Sequence, residues 1–230
     1  FADDLNTLNG SPDGQLGLRF VLRSEATIAR IRKHLASLLE ALPQLRVVSA
    51  NLQPEHKAVL EGPREILLSA ESRLAMPVNE LTLYLRPQGF FQTNTAVAAA
   101  LYAQARDWVA EAQASTVWDL YCGVGGFALH AAGAGRRVTG VELEAEAIAS
   151  ARLACDEASI SGVDFVAADA TAWAQAQTSS AELVIVNPPR RGIGPVLCQR
   201  LEAATDTRWL IYSSCNAESL ARDLAAMPSF

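Results

Sequence analysis

Lysine is nearly missing from this chain: of nineteen basic residues only Lys33 and Lys57 are lysines. Cysteine is scarce as well. Cys122, Cys155, Cys198 and Cys215 form no CxxC pair and have no histidine at ligand spacing, which argues against a disulfide scaffold and a metal site. His34, His56 and His130 form no constellation and are expected at the surface or in packing. No run approaches the roughly eighteen apolar residues of a membrane-spanning helix, so no membrane contact is expected. Phe1-Ala2-Asp3-Asp4 lacks an initiator Met and the basic-then-apolar layout of a leader, and reads as a cut end; residues 226–230 stop as arbitrarily. Free thiols suit a reducing cytoplasm. Repeats and low-complexity linkers are absent, and nothing points to an obligate protein partner. A basic excess is also missing. Residues 1–95 hold ten cations and ten anions, residues 96–230 nine cations and fifteen anions, which gives the net charge of −6. That balance argues against a generic nucleic-acid clamp but leaves room for a local arginine patch.

The 230 residues are 50% hydrophobic, enough for one large or two small cores. Residues 1–86 mix elements as an α+β unit. A Pro12-Asp13-Gly14 turn precedes a strand over 15–22, and Ile28, Ile31, Leu35, Leu38 and Leu42 recur at helical spacing up to Pro43. Further strands are expected over 45–51, 65–69 and 81–85. Residues 87–230 alternate regularly. Helices are expected over 95–111, from 126, and over 145–158, 171–177, 195–203 and 217–226. The strands between them are expected over 116–121, 137–141, 164–166, 182–186 and 209–212. Leu183-Val184-Ile185-Val186 is apolar throughout, as in a parallel strand covered on both faces. The fold class is therefore α/β, a doubly wound Rossmann-like sheet with a smaller amino-terminal α+β unit. Cys155 and Cys198 fall on helices among apolar neighbours and are expected to be buried.

Ligands of such sheets sit beyond the carboxyl ends of the strands. The strand ending near Tyr121 runs into Cys122-Gly123-Val124-Gly125-Gly126, where glycine permits a tight turn and lets a ligand approach. Gly123 is the candidate contact. Glu142 ends the next strand, nineteen residues on, where a carboxylate can accept ribose hydroxyls. The same glycines satisfy a dinucleotide fingerprint. Asp119, which opens the motif, and Asn187-Pro188-Pro189-Arg190 on the same rim favour S-adenosylmethionine, whose sulfonium is cationic. Asp169 follows the third strand, either as acceptor for an adenine amine or as a helix N-cap. The last strand delivers Ser213-Ser214-Cys215-Asn216 to this edge, just before a helix whose positive end suits a thiolate. From the pattern alone Cys215 reads either as a catalytic thiol or as a buried structural one; a reactive thiol there suits one chemistry in particular. Carbon 5 of uracil is a poor nucleophile, and a thiolate adding to carbon 6 makes it an enolate carbon able to accept a methyl group.

The chain resembles the RNA uracil-5-methyltransferases, and most closely the bacterial 23S ribosomal RNA members. The resemblance rests on four blocks in order: residues 87–94 (PQGFFQTN), 118–126 (WDLYCGVGG), 187–194 (NPPRRGIG) and 212–216 (YSSCN). It implies S-adenosylmethionine contacts from Gln92, Tyr121, Glu142 and Asn187, Cys215 as covalent nucleophile, and ribosomal RNA as substrate partner. Asn187 stands where most of that family has Asp, a departure shared by the ribosomal subtype. The resemblance also implies a 4Fe–4S cluster on amino-terminal cysteines that this chain does not contain. It further implies a general base, a Glu just beyond Phe230, so these residues are expected to bind cofactor and to turn over poorly. Residues 1–86 are expected to position RNA through Arg64, Arg73 or Arg86. An RNA cytosine-5-methyltransferase, a dinucleotide oxidoreductase and a non-catalytic binding module on the same fold stay open as alternatives.

Overall fold

The structure, a computed structural model, describes residues 5–55, 61–89, 91–92 and 94–230. Residues 1–4, His56, Lys57, Phe90 and Thr93, named above, lie outside the described residues. The backbone divides into two compact units, Phe1–Phe90 and Phe91–Phe230.

In the first unit, strands β1 (Leu5–Gly10) and β2 (Leu16–Leu22) lead into helix α1 (Ile28–Ala41), followed by β3 (Leu45–Leu52) and β4 (Arg64–Leu67). They form a sheet in the order β1-β2-β3-β4. The β2–β3 pair is parallel, as the α1 crossover requires, and the flanking pairs are antiparallel. Helix α1 ends where Leu42 donates its N–H to the Leu38 carbonyl, immediately before Pro43, whose ring disfavours a helical neighbour. Leu22, Ile28, Ala50 and Leu52 form one buried cluster of this unit. A separate hairpin, β5 (Leu74–Val78) and β6 (Leu81–Leu85), turns through Asn79 at φ 53°. The expected strands are all present, and β1 and β5 are additions. Pro77 makes β5 read as interrupted, yet in a two-stranded ribbon its missing N–H can face outward. In β1, the two asparagines and terminal glycine have turn composition, and pairing with β2 overrides it.

The second unit opens with helix α2 (Thr95–Glu111), then alternates as β7 (Thr116–Leu120), α3 (Gly126–His130), β8 (Arg137–Glu142), α4 (Ala145–Glu157), β9 (Val163–Ala167), α5 (Ala170–Ala176), β10 (Leu183–Val186), α6 (Gly194–Glu202), β11 (Trp209–Tyr212) and α7 (Ala217–Ala225). The sheet order is β11-β10-β7-β8-β9, with every pair parallel. This is the doubly wound α/β architecture expected from the sequence. All four residues of β10 are buried. Leu120, Val184, Val186, Leu197, Leu201 and Met227 are among the residues of one core cluster; each such side chain taken fully out of water contributes about 1.5–3 kcal/mol. Cys155 and Cys198 are buried, as their helical positions suggest. His130 is buried too, with Nδ1 2.7 Å from the Gly126 carbonyl and its ring against Tyr102.

Candidate active site

Register places the candidate residues on one edge. Tyr212, Val186, Leu120 and Val141 are neighbours across β11, β10, β7 and β8. The residues that follow them, Ser213, Asn187, Tyr121 and Glu142, therefore share the carboxyl rim. The ladder continues into it: Ser213 N–H donates to the Val186 carbonyl, Asn187 N–H to that of Leu120 and Cys122 N–H to that of Val141. The chain leaves β7 toward β8 on one side and returns through β10 and β11 on the other, so the switch in strand order lies between β7 and β10. Asn187 stands at that switch. Cys215 is beyond β11, a strand two interstrand spacings, about 10 Å, from β7.

The three glycines of that turn have different reasons to be glycine. A Cβ on Gly126 would lie 2.3 Å from the Tyr102 ring, and one on Gly125 2.9 Å from the Ala151 Cβ and from the Phe165 ring. These two admit internal packing. Gly123, at φ 53°, has nothing within 4 Å of where its Cβ would be. Its open side is the part of the turn that a ligand can approach. Tyr121 just before it holds φ 65°, a left-handed conformation that costs a non-glycine residue about 1–2 kcal/mol. Burial raises the affinity of its half-buried hydroxyl for its proton; a hydrogen bond with Thr171 and the charge of Arg191 pull the other way.

Glu142 ties two loops together. Its Oε2 accepts from Gly123 N–H at 3.1 Å, and Oε1 accepts from Leu143 N–H at 2.8 Å and Glu144 N–H at 3.3 Å. A carboxylate offers about four lone-pair positions, so one stays available to a hydroxyl without displacing a backbone donor. Leu143 beside it is 64% exposed. Sequence reasoning passed over this apolar side chain on the rim; its signal is an apolar residue directly after the carboxylate that closes a strand.

Asp119 corrects an expectation. The sequence suggested a carboxylate facing a cationic ligand, but Asp119 is fully buried and its Oδ2 accepts from Ala128 N–H in α3 at 2.8 Å. Its Oδ1 has no partner among the described residues. Desolvation, reinforced by the charge of Glu142, pushes its pKa up to about 8 against the Ala128 hydrogen bond. It anchors the helix behind the glycine turn. Asp169 caps α5, its Oδ1 accepting from Ala172 N–H at 2.8 Å, and the residue is exposed. The N-cap role is therefore real, and Oδ2 is left for a further donor. Gln92 is half-buried in the segment before α2, and no hydrogen bond among the described residues ties it to the strand ends.

Cys215 is the one exposed cysteine of the four. The loop around it is stitched to the 187–194 loop. Asn216 caps α7 by accepting from Glu218 N–H, while its Nδ2 donates to the Arg190 carbonyl at 3.0 Å. Arg222 donates to the Arg191 carbonyl at 2.6 Å. The buried Asp223 Oδ2 accepts from Ile193 N–H at 2.8 Å and from the Tyr212 hydroxyl at 2.7 Å. A Cβ on Gly192, at φ 84°, would meet that same oxygen at 2.2 Å. Burial first, and then the bond to Asp223, raise the pKa of Tyr212. Asp223 was not foreseen. Its signal is a carboxylate at the 3–4 spacing that also carries Ser219 and Leu220, the inward face of α7, and continues to Met227 just after it.

Among the described residues no three His, Cys, Asp or Glu side chains gather as a metal site. No described helix is long and apolar enough to cross a membrane.

Comparison with known proteins narrows the remaining readings. Residues 70–229 match the family model described as tRNA (uracil-5-)-methyltransferase. The chain belongs to the uracil-5-methyltransferase family. Among relatives in it, a 23S rRNA (uracil(747)-C(5))-methyltransferase RlmC from Pectobacterium atrosepticum is 51% identical over 217 residues, 94% of this chain and 58% of that protein. RlmC from Yersinia pseudotuberculosis is 50% identical over 218 residues, 95% of this chain and 58% of the relative. The chain thus spans less than three fifths of these uracil-5-methyltransferases. Among solved structures, the tRNA (uracil-54, C5)-methyltransferase of Pyrococcus abyssi, in complex with S-adenosyl-L-homocysteine, superposes with a TM-score of 0.74 at 22% identity, over 96% of this chain and 52% of that one. A putative SAM-dependent methyltransferase from Streptococcus mutans gives 0.54 at 14% identity, over 91% of this chain and 58% of that one. These two agree on the methyltransferase fold. Membership in the uracil-5-methyltransferase family sets aside the dinucleotide and cytosine readings.

Proposed function

We propose that this chain carries the methyl-transfer site of an S-adenosylmethionine-dependent enzyme that methylates carbon 5 of a uridine in 23S ribosomal RNA, in the cytoplasm, with Cys215 as covalent nucleophile. The uridine is the one that the RlmC relatives' names give as 747. The observation that carries this reading is the placement of one solvent-exposed thiol on the strand edge that also holds the open glycine turn. The gap of about 10 Å between their strands leaves room for a pyrimidine with a side chain reaching in from one side and a methyl donor from the other.

The residues fit the cofactor. Open space over Gly123 admits a nucleoside against the backbone. Glu142 offers a ribose hydroxyl its free lone pair, and Leu143 an apolar face for the base. Asp169 offers Oδ2 to an adenine amine, and Tyr121, Asn187 and Gln92 complete the contacts. S-adenosylmethionine, once bound, supplies an electrophilic methyl group. The protein's part is to make carbon 5 able to take it. The Cys215 thiolate adds to carbon 6, forming a carbon–sulfur bond and moving the 5,6 electron pair into an enolate. Carbon 5 then takes the methyl group. A base removes the carbon-5 proton, and the returning electron pair expels the thiolate, restoring the 5,6 double bond. The first unit serves to position RNA.

The test uses RNA carrying 5-fluorouridine, with S-adenosylmethionine. Fluorine cannot leave as a proton, so the covalent species accumulates whether or not a base acts. The expected result is an adduct mapped to Cys215 by mass spectrometry and lost in Cys215→Ala. An adduct that forms on another residue, or persists in the variant, sinks the reading.

A further inference from the structure

We propose that Arg190 and Arg191 form an anion-binding edge that seats backbone phosphate of the RNA strand beside the exposed thiol. The inference rests on the reading above that RNA is the substrate, and it names how that RNA is held. The arginines expected from the sequence to contact RNA each have a partner already. Arg64 is ion-paired with Glu25, and Arg73 and Arg86 each have partners. Arg190 and Arg191 are both exposed, with no ion pair or side-chain hydrogen bond among the described residues.

Their backbone, by contrast, is fixed. Pro188 and Pro189 restrict φ on the entering side. Asn216 holds the carbonyl of Arg190, Arg222 that of Arg191, and Asp223 the N–H of Ile193. Two guanidinium groups are thus presented from a loop whose conformational entropy is already lost, which lowers the ordering cost of binding. The planar donor fork of arginine matches a phosphate's oxygens. The charge of Arg191 reaches Tyr121 on the cofactor side of the gap, and Arg222, 64% exposed but ion-paired with Asp223 at 3.6 Å, lies on the nucleophile side. Three of the nine cations in residues 96–230 therefore surround this edge. Two carboxylates belong to the same segments, Glu218, exposed in the first turn of α7, and Asp223, which is buried under the loop. A unit with excess negative charge carries two exposed guanidinium groups at the point of the rim where a strand must lie for its base to reach Cys215.

Salt dependence tests it. Each phosphate neutralised on a single strand contributes about 0.7 to the slope of log affinity against log salt. Fluorescence anisotropy of a labelled single-stranded RNA would be titrated with KCl, S-adenosylhomocysteine being present. Arg190→Gln and Arg191→Gln should each lower the slope by about 0.7, and the double variant by about 1.4, with melting temperature unchanged. Arg208→Gln is the control. That residue is 70% exposed beside Glu182, at the opposite ends of the strands, and should leave the slope alone. A double variant with the wild-type slope overturns the proposal, as does an equal drop in the control. Trapping with 5-fluorouridine at saturating RNA and low salt separates the two readings. Should wild type give no adduct while the slope still depends on Arg191, the edge stands and the role of Cys215 falls.

Discussion

Asp119 and Cys215 stand at opposite extremes of solvent access on one sheet edge, and the difference decides what each can do. Both were singled out from motif position, and motif position does not say which way a side chain turns. Cys215 follows the end of β11 by three residues and lies in the open, whereas Asp119 is within β7 and points under α3. Period-two alternation would have shown the direction in a one-sided strand, but β7 is covered on both faces and gives no such contrast. The consequence for Asp119 is a pH effect. Its pKa rises from the usual carboxylate value to about 8 because burial penalises the charge. The folded state therefore binds a proton that the unfolded state has released above pH ~4. The stabilisation this gives is complete below pH ~4 and is lost as pH rises toward 8. Asp119→Asn mimics the protonated form and keeps an oxygen for Ala128 N–H. Its melting temperature should gain on wild type progressively between pH 5 and 8, as followed by circular dichroism. A constant difference over that range would contradict the assignment.

At the scale of elements, the helix after the nucleophile and the loop after β10 behave as one piece. Nearly every helix and strand of the second unit was legible from apolar periodicity and its glycine and proline punctuation. The clamp between α7 and the 187–194 loop was not. It depends on a carboxylate whose partners, Tyr212 and Ile193, are 11 and 30 residues away, and spacing along one chain does not reveal a tertiary hydrogen bond. Removing the acceptor leaves two donors unsatisfied, each costing roughly 1–3 kcal/mol when buried. Asp223→Ala should lower unfolding free energy in urea by about 2–4 kcal/mol. It should also slow adduct formation at Cys215, because the loop bearing Asn187 and the turn bearing the thiol lose their shared anchor. Combining it with Tyr212→Phe should cost less than the two separate losses, since both remove one interaction. Stability within about 0.5 kcal/mol of wild type would show that the clamp does not hold.

For the whole molecule, each unit has a core of its own, and every candidate cofactor residue belongs to the second. The change from mixed elements to regular alternation sets a boundary between residues 86 and 87 in the sequence, whereas the backbone divides after Phe90, and β1 and β5 were hidden by asparagine and proline. Tryptophan supplies a way to observe one unit alone. Trp108, Trp118, Trp173 and Trp209 all fall within residues 91–230, so their fluorescence reports that unit selectively. A ligand that binds only the folded state adds about 2.7 kcal/mol at a hundredfold excess over Kd. For a unit of this size that corresponds to a rise of roughly 5–11 °C in Tm. S-adenosylhomocysteine should shift the tryptophan-detected transition by that amount, while NAD should leave it in place. Hydrogen exchange should gain protection at the Gly123 turn, the Glu142–Glu144 loop and Asn187, since those backbone groups frame the open space over Gly123. A shift confined to signals from the first unit, or protection gained only away from these three segments, would mean that the carboxyl edge of the sheet is not where the cofactor sits.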